Sequence, residues 1–124
     1  MEAVKRLAAV LFFAAAAATF FSCSPNIPDG QGLLVVETED DNLYLESVYA
    51  KKAGEAAYTR VWAKKHGLDW THGNVYLDAG FYKVYATTAW LGAVPMISTT
   101  GFAEIEIRNG QTKFLHVNGI FLSE

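Results

Sequence analysis

Cysteine is almost missing from this chain of 124 residues: Cys23 stands alone. A solitary thiol closes no intramolecular disulfide, so whatever folds after it must be held by its core. Sequence motifs for catalysis are missing too. There is no G-x-S-x-G, no glycine-rich phosphate loop and no H-E-x-x-H, so a non-catalytic protein without a cofactor is expected. Histidine is scarce, with His66, His72 and His116 only. A metal centre needs three or four converging ligands. His66, Asp69 and His72 share one loop but match no zinc spacing, so they read as solvated imidazoles and a solvated carboxylate. His116 reads as a half-exposed strand residue, and no metal site is expected. Cations form no stripe: Lys51-Lys52 and Lys64-Lys65 are isolated pairs. Neutralising phosphates takes clustered cations, which excludes nucleic acid as a partner. The acidic stretch Glu37–Asn42 (ETEDDN) lacks the alternating Asp pattern of a calcium loop and reads as a solvated turn.

Long apolar runs are limited to one. Lys5 and Arg6 precede an uncharged stretch from Leu7 to Phe21. At about 15 residues it fits the apolar core of a signal peptide and falls short of the roughly 20 needed to span a bilayer. It would cover only about 22 Å of a roughly 30 Å hydrocarbon core. The stretch ends in Phe20-Phe21-Ser22-Cys23. A small residue directly before a lone cysteine, at the end of such a run, resembles the lipobox of bacterial lipoproteins. The resemblance implies a lipidated Cys23 and removal of residues 1–22. Two other readings stay open: a secretion signal cut within the Ala14–Ala18 run, and an uncleaved anchor helix. Residues 24–32 carry two prolines and two glycines and read as an extended tether, giving a signal peptide over 1–22, a tether over 23–32 and one domain over 33–124. Setting aside Glu2, Lys5 and Arg6 leaves 8 basic and 12 acidic side chains, net −4.

The remaining chain is rich in Tyr, Trp, Phe and Val, which suit strands. Short β-prone runs are predicted over Leu33–Thr38, Leu43–Lys51, Tyr58–Lys64, Val75–Asp78, Phe81–Trp90, Phe102–Arg108 and Thr112–Asn118. In the second run, Leu43, Leu45, Ser47 and Tyr49 alternate with Tyr44, Glu46, Val48 and Ala50. Lys, Ala and Glu between residues 50 and 65 also suit a helix. Phe102–Arg108 alternates Ala103, Ile105 and Ile107 inward with Glu104, Glu106 and Arg108 outward. Asn109-Gly110 after it is a strong hairpin signal, predicting that the last two runs pair. About seven short strands at this spacing predict an all-β fold, a single antiparallel β-sandwich.

The stretch NVYLDAGFYKVYATTAW followed by FAEIEIRNGQTKFLHV is similar to the small prealbumin-like or immunoglobulin-like modules of bacterial envelope proteins, of PEGA or carboxypeptidase-regulatory-like type. The matching positions are Val75, Leu77, Gly80, Tyr82, Val84, Asn109, Gly110 and Gln111, within a resemblance covering about residues 32–118. What it implies is architecture; it brings no catalytic residue.

The connector WLGAVPMISTTG (Trp90–Gly101) carries apolar residues where polar ones are usual. Either it caps the domain or it presents a patch to a partner. Trp90, Met96 and Ile97, with Trp70 from another loop, are therefore the expected contact residues. The combined expectation is a cell-envelope protein held on a membrane by lipid at Cys23, at the outer membrane or cell surface. Its partner is an envelope protein or a glycan. Glycan binding through surface tryptophans, and pairing of a sheet edge with a partner strand, are the alternatives.

Overall fold

A computed structural model describes residues 26–65, 70–90 and 96–124. The apolar leader, Ser22 and Cys23 lie outside the described residues. Those described are all-β, with nine strands in two sheets: β1 (Gln31–Thr38), β2 (Leu43–Lys52), β3 (Thr59–Ala63), β4 (His72–Asp78), β5 (Gly80–Trp90), β6 (Met96–Thr99), β7 (Ala103–Ile107), β8 (Thr112–Asn118) and β9 (Phe121–Ser123). The first sheet runs β4-β1-β8-β9. The second runs β3-β2-β5-β6, with β7 also on β5. No helix forms over residues 50–65, where β2 and β3 lie instead.

β1 is the central strand of its sheet, and its Leu33-Leu34-Val35-Val36 run is buried on both faces. A strand flanked on both sides and covered on both faces reads as a continuous apolar run. Leu34 and Val36 join Leu77, Leu115, Val117 and Leu122 of the same sheet and Leu43, Leu45, Val48, Val84, Ile105 and Ile107 of the other in one buried cluster. Each such side chain contributes about 1.5–3 kcal/mol by leaving water.

Three expectations need correction. First, the ladders are not all antiparallel: β1 and β8 run parallel. Second, strict alternation along β2 is broken. The register passes from Leu45↔Thr88 to Ser47↔Thr87, leaving Glu46 unpaired. This one-residue bulge places Val48 and Ala50 on the same buried face as Leu43 and Leu45. Third, the two strands joined by Asn109-Gly110 do not pair. β7 lies on β5 in one sheet, and β8 lies on β1 in the other. The turn itself is as its residues dictate, with Gly110 at φ 76°. It docks on the start of β1: Gly110 N donates to Gln31 O (2.7 Å), Leu33 N to Gln111 O (2.9 Å) and Gly30 N to Asn109 Oδ1 (2.8 Å). Gly30, Gln31 and Gly32, the end of the expected tether, are thus bonded into the sheet or its turn.

Two strands lie beyond the seven predicted. β6 pairs with the end of β5, so the apolar connector returns as a strand after residues 91–95, which lie outside the described residues. β9 folds back on β8 through Gly119, at φ 66°.

Candidate functional site

The four expected contact residues share one end of the second sheet without forming one patch. Trp90 ends β5, pairs with Leu43 and Met96, and packs against the buried cluster. Met96 and Ile97 are exposed on the edge strand β6. Trp70 lies across the sheet, its carbonyl accepting from Leu45 N at 2.7 Å. Because β2 also pairs with β5, both β2 and β5 stand between Trp70 and β6, roughly 14 Å at normal strand spacing. Trp70 is half-buried and meets Trp62 edge to face, with centroids 6.2 Å apart. Its Nε1 is buried and finds no acceptor among the described residues. Trp62 in turn covers Gly73 of the other sheet. All three tryptophans are thus at least half-buried, and the exposed rings are others.

One of those rings, Phe81, lies toward the opposite end of β5, while Tyr49, Tyr58 and Tyr85 are half-buried like the tryptophans. Phe81 is 62% exposed. Tyr85 stacks on Tyr49 at 4.8 Å with an interplanar angle of 7°, and Tyr58 meets Tyr85 edge-on. Lys51 sits over the Tyr58 ring, and Lys83 over Phe102 at 5.0 Å, contacts of about 0.5–1 kcal/mol when exposed. Alternation along β5 explains this arrangement: Tyr82, Val84, Ala86 and Thr88 are buried, so Phe81, Lys83, Tyr85 and Thr87 take the other face.

Beside this face a cavity of about 590 Å³ opens where the edge of β7 approaches β8 and the chain end. Its walls include Phe81, Tyr82, Glu104, Ile105, Glu106 and Lys113, with Lys51, Lys52 and Glu55 at the β2–β3 turn. Lys113 Nζ bonds Glu124 Oε1 at 2.9 Å, Arg108 Nε bonds Glu106 Oε1 at 3.1 Å, and Lys83 stands 3.9 Å from Glu104. These are exposed pairs, each contributing about 0–1 kcal/mol, so the charges are free to exchange partners. Lining of both signs around a few apolar groups suits a polymer with alternating polar and apolar groups better than a purely apolar ligand.

Tyr82 forms one wall. Its hydroxyl donates to the Asp78 carbonyl at 2.6 Å. Burial raises the phenol above its ordinary pKa of 10.0, and the negative charges of Asp78 and Glu55 add to the shift. Tyr82→Phe is expected to cost about 1 kcal/mol at pH 7 by removing that hydrogen bond. The unfolded chain loses the phenolic proton before the folded one. The tyrosine's stabilisation is therefore complete below about pH 10 and is lost as pH rises through the folded value. Urea midpoints at pH 7 and pH 10.5 should show the gap between wild type and variant narrowing.

His72 begins β4 and is exposed. His116 Nδ1 stands 3.6 Å from Glu39 Oε2. Asp40 shapes its turn, accepting from Asn42 N at its Oδ1 (2.9 Å) and from Leu43 N at its carbonyl (3.0 Å). His66 and Asp69 lie outside the described residues, and among those described no group of three His, Cys, Asp or Glu side chains converges on a metal position.

No protein-family model matches the chain, and neither does any curated protein. Among solved structures, a leucine-rich repeat protein from Bacteroides thetaiotaomicron VPI-5482 is similar over 77% of this chain, at 13% identity and a TM-score of 0.44. The chain spans 15% of that protein's length.

Proposed function

We propose that the protein is a lipid-anchored component of a bacterial cell envelope, with a non-catalytic domain that binds or assembles with an envelope partner. In this reading the two sheets are the layers of a prealbumin-like or immunoglobulin-like sandwich, supported by the single buried cluster drawn from both. The observation that carries the reading is the position of the solitary Cys23, at the end of the apolar leader and just ahead of β1. Residues 24–29 reach at most about 20 Å when extended, which holds the domain close to the bilayer. Several acyl chains, each buried methylene contributing about 0.8 kcal/mol, hold far better than one. The outer membrane or cell surface is the proposed site.

Metabolic labelling with a palmitate analogue tests the anchor. The wild-type protein should carry label and sediment with membranes, and Cys23→Ser should lose both properties. A label that persists in Cys23→Ser, or a mature protein still bearing Met1, rejects it. The binding mode best supported is strand-edge pairing, because a free strand edge borders the cavity described above. Glycan binding is the second reading, favoured by the exposed Phe81 and the Tyr49–Tyr85–Tyr58 cluster in place of tryptophans.

A further inference from the structure

We propose that the free edge of β7 is the docking strand, and that it takes an extended peptide segment of a partner protein in which basic and apolar residues alternate. The inference rests on the binding role proposed above and supplies its surface and partner chemistry. Among the described residues β7 forms its ladder with β5 alone, and no backbone group of Ala103–Ile107 bonds outside that ladder. β8 is open on the facing side as well. It pairs with β1 from Thr112 onward, but β9 covers only His116–Asn118. Each sheet is therefore unpaired where they border the same 590 Å³ cavity, a volume typical of a ligand site. An extended chain entering there gains main-chain hydrogen bonds from β7, and its alternate side chains lie beside Ile105 at the rim of the cavity.

Charge selects the occupant. Glu104 and Glu106 project from the exposed face of β7 toward the position of an added strand's cross-strand neighbours. Among the described residues Glu104 is held by Lys83 at 3.9 Å and Glu106 by Arg108 at 3.1 Å, exposed pairs that a basic side chain of the incoming segment can replace. Opposite charges directly across a ladder stabilise it and like charges weaken it. Lysine or arginine at every second residue of the incoming segment meets these carboxylates. The intervening apolar side chains lie beside Ile105 at the rim of the cavity.

The test uses the detergent-solubilised full chain at physiological salt and two fluorescein-labelled ten-residue peptides, one alternating lysine with valine, the other glutamate with valine. Anisotropy titrations should show the lysine peptide binding at least tenfold more tightly. Glu104→Lys combined with Glu106→Lys should reverse that preference in a protein that still melts cooperatively, a few degrees lower because Lys83 and Arg108 lose their partners. Hydrogen exchange should show new protection at residues 103–107 when the lysine peptide is bound. Equal binding of the two peptides, no binding of either, an unreversed preference in the double variant, or protection confined to another edge overturns the proposal. The palmitate result is independent of all these outcomes, so loss of the docking strand and loss of the anchor are told apart.

Discussion

Gly32→Ala is expected to lower the thermal unfolding midpoint by at least about 12 °C. A β-carbon at Gly32 would stand 2.5 Å from the Arg108 carbonyl oxygen, 2.7 Å from Ile107 Cγ2 and 2.9 Å from the Gln111 carbonyl oxygen. Two of these three atoms are backbone and cannot rotate away. They belong to the Asn109-Gly110 turn, which Gly110 N and Leu33 N clamp onto β1 by hydrogen bonds of 2.7 and 2.9 Å. Admitting one methyl group therefore means moving the turn off the strand and breaking those bonds. Overpacking of this kind costs about 3 kcal/mol at the upper end of its usual range, and for a domain of ~100 residues each kcal/mol shifts the midpoint by about 4 °C or more. Gly54→Ala is the contrasting control. Among the described residues nothing lies within 4 Å of its added carbon, but φ is +94°, so its cost is conformational alone, about 1–2 kcal/mol. A scan in which Gly32→Ala melts within a few degrees of wild type would show that the turn is not clamped on β1.

That same turn marks where the sequence stops being legible. Asn109-Gly110 dictates a local reversal because glycine accepts φ 76°, and the reversal is there. Turn chemistry does not say which strand each arm pairs with. β7 and β8 part to different sheets because Ile105 and Ile107 on one and Leu115 and Val117 on the other all enter the shared buried cluster. The groove between them is a product of that parting, so no local pattern announced it, although alternation did place Glu104 and Glu106 outward. In β2 the pattern misled for another reason. Period-two reading assumes one residue per rung, and the unpaired Glu46 breaks the count. β6 and β9, of 4 and 3 residues, are too short to carry a periodic signal. The apolar surplus in Trp90–Gly101 was a real signal, and part of it is the exposed edge at Met96 and Ile97. The glycan alternative reads the tryptophans as surface rings. Trp62 and Trp90 pack against the buried cluster, a contact set by tertiary neighbours and not by spacing.

Trp62 also carries the second large effect, which shows as a reversal of sign. Its indole crosses from β3 to cover Gly73 of β4 in the other sheet, and an added β-carbon at Gly73 would meet ring atoms at 2.5, 2.6 and 2.9 Å. Unlike the carbonyls around Gly32, the obstacle is a side chain. Trp62→Ala alone should cost about 3 kcal/mol, the low end for truncating a large aromatic, because the ring is only half-buried. It also strips Trp70 of its edge-to-face partner, worth a further ~0.5–1.5 kcal/mol. Gly73→Ala alone should cost about 2 kcal/mol by displacing the ring. With the ring gone, the three nearest obstacles to that carbon go with it. A strand glycine is about 0.5–1 kcal/mol less favourable than alanine, so Gly73→Ala should then stabilise. Urea denaturation of the four proteins closes the cycle, with an expected coupling of about 2–3 kcal/mol. Independent, additive costs at the two positions would mean that Trp62 does not seal the gap between the sheets at this edge.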